Sequence, residues 1–144
     1  MAYQNILVPV DGSETSYAAV AQAAELAKAF GGKITVVQVL ALDPYIAAEY
    51  ISATQTNDLI ERARTSVLKT LEEAAAKFSD LGIPVEAKLL EGQVVHREII
   101  KEAETSKADL IVIGSHGRTG LKRLFLGSVA QSVLGEAHIP VLVV

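Results

Sequence analysis

The chain has 144 residues, half of them apolar and 21% charged, with a formal net charge of -4 and no cysteine. That length suits one domain with its own core, and that composition excludes a disordered chain. The acidic balance argues against non-specific nucleic-acid binding, and the missing thiols exclude disulfides, thiolate zinc sites and cysteine nucleophiles.

The first element in chain order is an apolar run at residues 6–10, ending at Asp11-Gly12, which reads as a strand. Residues 13–30 then carry helical spacing. Ser13 can cap, Glu14 falls in the first turn, and Tyr17, Val20, Ala24, Leu26 and Ala27 share one broad face. Gly31-Gly32 supplies a left-handed stop. A second strand is predicted at 34–40, followed by a long connection over 41–54 that contains Pro44, Tyr45 and Tyr50 and receives no assignment. A long helix is expected over about 55–81, with Leu59, Ile60, Ala63, Val67, Leu71, Ala74, Ala75 and Phe78 as its core stripe. Its Glu72, Glu73 and Lys77 read as a solvated face, and Gly82 and Pro84 end it. A strand at 85–90 and a helix at about 93–105 follow, the helix turning Val95, Ile99, Ile100 and Ala103 inward. The last elements are a strand at 110–113, a helix from Ser128 to about Ala137, and a strand at 141–144.

This is a β-α-β-α-β-α-β-α-β pattern. Three of the strands are almost continuously apolar, as strands covered on both faces are, which points to a parallel sheet. Right-handed crossovers then place helices on both faces in a doubly wound α/β fold. No repeat, low-complexity tract or linker divides residues 1–144, so a single domain is expected. A secretory leader is not expected, since the chain enters an apolar strand-like run almost at once, and no apolar run is long enough to span a bilayer. A soluble, cytoplasmic protein without direct membrane insertion is the expectation.

Open α/β sheets bind ligands beyond the carboxyl ends of their strands. The polar, flexible segments there follow the first strand, at Asp11-Gly12-Ser13, and the fourth, at Gly114-Ser115-His116-Gly117-Arg118-Thr119-Gly120. Gly114, Gly117, Gly120 and Gly127 lead to Ser128 at a helix start. Glycines let backbone N–H groups converge on an anion, and a helix start adds its own donors and dipole. Arg118, Lys122 and Arg123 add positive charge, and Ser115, Thr119 and Ser128 add hydroxyls. The stretch is a plausible phosphate cradle. It is neither a P-loop, since Leu121 follows Gly120, nor a GxGxxG dinucleotide fingerprint.

Four segments resemble the universal stress protein family across the whole chain. They are Ile6-Leu7-Val8-Pro9-Val10-Asp11-Gly12-Ser13, Asp109-Leu110-Ile111-Val112-Ile113-Gly114-Ser115-His116-Gly117, the spacing Gly114-x2-Gly117-x9-Gly127-Ser128, and Pro140-Val141-Leu142-Val143-Val144. The glycine spacing is similar to the nucleotide signature of the family's ATP-binding branch. The resemblance implies an adenine nucleotide alpha hydrolase-like fold, with five parallel strands in the order 3-2-1-4-5. It implies ATP as ligand, with Mg2+ (or Mn2+) bridging the phosphates. Asp11 would lie near ribose or adenine, Pro9 and Val10 would line the base, and Val39 would meet adenine through its backbone. Ile113, Gly114, His116 and Gly117 would wrap the ribose and α-phosphate. Gly127, Ser128 and Val129 would hold the outer phosphates through main-chain N–H groups. Ala130 stands where many ATP-binding relatives carry a hydroxyl, which implies weaker phosphate binding.

Blander readings stand beside these. Asp11 can shape a turn or cap the first helix. His116 is a lone loop histidine, better suited to backbone contact than to catalysis. Arg118, Lys122 and Arg123 divide evenly between solvated charge and ligand contact. His96 and His138 have no partner at metal-ligand spacing, and Glu91-Gly92-Gln93 reads as a turn.

Three functions follow. The first is a regulatory nucleotide-binding protein. The second is a slow ATPase, disfavoured because Asp11, the only acid that can be placed nearby, falls at the base and ribose end. The third is an accessory regulator of a membrane transporter, which no residue selects. The apolar last strand invites pairing with another chain, and the resemblance also implies a homodimer through it.

Overall fold

The computed structural model describes residues 2–41, 53–116 and 126–144. The strands are β1 (Asn5–Pro9), β2 (Lys33–Ala41), β3 (Val85–Gly92), β4 (Leu110–Ile113) and β5 (Val141–Val143). The helices between them are α1 (Glu14–Phe30), α2 (Ala53–Ser79), α3 (Val95–Thr105) and α4 (Ser128–Glu136). All strand pairs are parallel, in the order β3-β2-β1-β4-β5. This is the expected five-stranded order. The winding direction reverses between β1 and β4, so their carboxyl ends open onto one crevice.

The two sheet faces form two cores. Ile6 and Val8 of β1, with Ile34 and Val36 of β2, pack under α1 and α2. Leu7 and Val37 point the other way, onto Ile99 and Ala103 of α3 and Ala130 and Val133 of α4. Alternation along a strand thus fills both faces. β4 is buried throughout. β5 is equally apolar but lies at the sheet edge, and its Leu142 is 38% exposed. For that strand, continuous apolarity does not report cover on both faces.

α1 begins and ends as its sequence dictates. Ser13 accepts the Ser16 N–H at its hydroxyl, and Gly31 closes the helix at φ 67°, donating its N–H to the Ala27 carbonyl. The expected stripe of α2 needs correction. Val67, Leu71, Ala74 and Phe78 are buried, but Leu59 is 50% exposed. A helix of 27 residues is about 40 Å long, which outruns the strands it covers, so its first turns extend past the core. The solvated face is also busier than expected: the Tyr17 hydroxyl donates to Glu73 at 3.1 Å, and the Lys77 ammonium stands 4.4 Å from the Tyr17 ring centre. β3 runs on to Gly92 because β2 pairs it there, Ala41 opposite Gly92. α3 accordingly starts two residues later than its spacing predicts, and its cap residue Val94 offers no side-chain bond.

One ion pair ties β3 to α3. The Lys88 ammonium donates to Glu102 at 2.7 Å, and the Glu102 side chain is only 10% exposed. The hydrogen bond to Glu102 raises the Lys88 pKa above its ordinary 10.5; partial burial opposes this, and the charges of Glu102 and Glu86 add to it. A raised pKa in the folded state means the stabilisation is complete below pH 10.5 and is lost as pH rises through the higher folded value. Lys88→Met leaves the Glu102 carboxylate without its cation and should cost about 1–2 kcal/mol. Urea unfolding checks this, and the difference from the parent should be constant to about pH 10 and shrink above it.

Among the described residues no helix is long and apolar enough to cross a membrane.

Candidate nucleotide cleft

The carboxyl ends of β1, β2 and β4 and the first turns of α1, α3 and α4 enclose a cleft of about 240 Å³. Pro9, Val10, Asp11, Val39, Ile113, Gly114, His116, Gly127, Ser128 and Val129 all line it. The strand order brings these distant segments together. Gly117 and Arg118 lie outside the described residues, as do Thr119, Gly120, Lys122 and Arg123 and most of the unassigned connection.

Residues beyond the expected set also line the cleft. Val37 projects from the same face of β2 as the expected Val39, and Val95 and Ile99 come from the first turns of α3. These four make the apolar wall. The period-two spacing of Val37 and Val39 is a usable sequence signal. For Val95 and Ile99 the signal is that helix starts in this fold lie at the carboxyl end of the sheet. Ser16, Gln38, Ser115 and Ala130 complete the lining.

The polar groups have defined partners. Asp11 accepts the Ser13 N–H at 2.9 Å, so this carboxylate shapes its turn and faces the cleft as well. The Thr15 hydroxyl bonds to the His116 carbonyl, and the His116 N–H points back at that hydroxyl from 3.3 Å. The Ser115 hydroxyl and the His116 Nδ1 are 2.9 Å apart. The Ser115 N–H donates to Val144 at 2.7 Å, and the Ser115 carbonyl accepts the Gly127 N–H at 2.7 Å. The loop after β4 is therefore stitched to α1, to β5 and to the start of α4.

That last bond revises how an anion would be held. The Gly127 N–H is committed to Ser115, and the Gly127 carbonyl accepts the N–H of Gln131. Gly127 caps α4 without a side-chain bond. The donors that remain at the helix start are the N–H groups of Ser128, Val129 and Ala130, which no intrahelical carbonyl can reach. Ala130 lacks a hydroxyl but still contributes its backbone donor. Three convergent N–H groups and the positive end of the helix dipole beside an apolar slot suit a ligand with a flat apolar ring and a phosphate.

The universal stress protein family model matches residues 2–144. A universal stress protein of Methanocaldococcus jannaschii, MJ0531, is 36% identical over 99% of this chain and 82% of its own length. The solved structure of MJ0577, from the same organism, superposes with a TM-score of 0.87 at 30% identity, covering 100% of this chain and 96% of that one. Two further solved relatives carry nucleotides. A universal stress protein in complex with cAMP has a TM-score of 0.74 at 27% identity, over 100% of this chain and 98% of that one. The Archaeoglobus fulgidus universal stress protein in complex with dAMP has a TM-score of 0.69 at 28% identity, over 99% and 98%.

Proposed function

The chain belongs to the universal stress protein family, and on that premise we propose that its cleft binds ATP and that occupancy, rather than turnover, is the signal it delivers. The observation that carries this reading is the start of α4, whose Ser128, Val129 and Ala130 line the cleft beside its apolar wall. The slot between Val10, Val37, Val39 and Ile113 accepts the adenine ring. Asp11 offers a carboxylate to a ribose hydroxyl. Ser128, Val129 and Ala130 take the phosphates. The relatives solved with cAMP and dAMP support an adenine nucleotide. A triphosphate in place of a monophosphate is favoured by the glycine spacing into α4.

Mg2+ (or Mn2+) would arrive on the phosphates. Among the described residues no group of three or more His, Asp or Glu could hold an ion, and the ion is proposed to be held mainly by the phosphates. When bound, the ion would neutralise phosphate charge. Hydrolysis requires a positioned base at the terminal phosphate. Among the described lining residues Asp11 is the one carboxylate, and it follows β1 rather than standing on α4. Binding is therefore favoured over a slow ATPase.

Adenine nucleotide should be released when the purified protein is denatured and the supernatant chromatographed. A supernatant without nucleotide, together with a melting temperature that millimolar ATP does not move, contradicts the reading.

Among the described residues β5 pairs with β4 alone and lies at the sheet edge, with Leu142 38% exposed. Such an edge joins readily to a second copy, so the homodimer is proposed to form there, in the cytoplasm. Deleting β5 would be an ambiguous test, because Val144 also holds the Ser115 N–H. Leu142→Lys avoids that bond. Light scattering should show the variant as a monomer with nucleotide binding retained; an unchanged dimer counts against the edge.

A further inference from the structure

We propose that Thr15 is the positioning residue of the nucleotide loop, holding both backbone groups of His116 with one hydroxyl. This rests on the nucleotide reading above and deepens it.

Thr15 lies in the first turn of α1 and is separated from His116 by most of the chain. Its hydroxyl hydrogen is given to the His116 carbonyl, and its oxygen lies 3.3 Å from the His116 nitrogen. Ser13 is a poorer candidate, its hydroxyl standing 3.5 Å from the same carbonyl. The fit continues at Gly114, where a Cβ would come within 2.7 Å of the Thr15 oxygen. Thr15 thus touches the loop on both sides of Ser115.

Ser115 is the residue that carries the constraint onward. Its carbonyl accepts the Gly127 N–H at 2.7 Å, and Gly127 is the cap of α4. Fixing His116 fixes the Ser115 peptide, and that peptide fixes where the free donors of Ser128, Val129 and Ala130 point. Thr15 suits the task because its branched Cβ restricts χ1, so the hydroxyl stays aimed. A donor set held in place before the ligand arrives binds more tightly than one that must be ordered.

Thr15→Val keeps the shape and removes the hydroxyl; Thr15→Ser keeps the hydroxyl. Titration of the full chain with ATP and Mg2+ should show Thr15→Val weaker by about tenfold and Thr15→Ser within about threefold of the parent. Hydrogen exchange without nucleotide should show faster exchange in Thr15→Val at Ser115, His116 and Gly127, with the core strands unchanged. Parent-like affinity in Thr15→Val overturns the proposal. If the parent itself binds no nucleotide, the ligand reading fails, and exchange decides Thr15 alone. Faster loop exchange supports its positioning role, and unchanged exchange overturns it.

Discussion

Gly114→Ala is expected to destabilise the protein by about 2 kcal/mol and to weaken nucleotide binding by at least about tenfold. A Cβ at this position would come within 2.7 Å of the Thr15 carbonyl carbon, 2.7 Å of its hydroxyl oxygen and 2.9 Å of the Ser16 nitrogen. Two of these are backbone atoms of α1, which no side-chain rotation can move. Either β4 or α1 must shift, and both are anchored in the core through Ile113 and Ala19. Overpacking of this kind typically costs about 1–3 kcal/mol. The same shift pulls the loop from the Thr15 hydroxyl and disturbs the Ser115 bond to Gly127. Stability and binding should therefore fall together. Thermal unfolding and an ATP titration measure the two effects. A variant with a parent-like melting temperature and affinity contradicts the close approach described.

Ser128→Pro separates binding from folding. Proline is accommodated at the first helical position, where its missing N–H has no intrahelical partner. The preceding residue must be extended, and Gly127 already lies at φ -62° and ψ 154°. The helix should form, with stability within about 0.5 kcal/mol of the parent. A donor to the phosphate is lost, however. Hydrogen bonds to charged groups contribute about 1.5–3 kcal/mol, so affinity should drop by roughly ten- to a hundredfold. Ser128→Ala removes the hydroxyl and keeps the N–H, so the difference between the two variants isolates the backbone donor. Equal affinities for Ser128→Ala and Ser128→Pro would mean that the α4 start does not hold the phosphate.

Much of this organisation is readable from local pattern. The Ser13 cap and the Gly31 stop delimit α1 because both signals act within one turn of chain. β4 is unmistakable, since four apolar residues between polar flanks have nowhere to go but a sheet interior. What local pattern misses depends on partners far along the chain. β3 reaches Gly92 because β2 offers a matching edge, and β5 is partly exposed because it lies at the edge of the described sheet. The same division holds for the cleft. Glycine spacing points to Gly114, Gly127 and Ser128. The wall of Val95 and Ile99 and the clasp of Thr15 on His116 exist only once the strand order sets α3 against β2 and α1 against β4. The engagement of the Gly127 N–H is likewise a tertiary fact. It would move the anion donors one residue along, onto Ser128, Val129 and Ala130.

The apolar slot and the free N–H groups of α4 are proposed to form one ATP site. Isothermal titration of the full chain with ATP and Mg2+, followed by ADP and AMP, tests it most directly. Binding of ATP should be saturable at one site, weaken progressively as phosphates are removed, and be selectively weakened for ATP by Ser128→Pro. Absence of heat with all three nucleotides up to high micromolar concentration, or affinity indifferent to phosphate number, would contradict it.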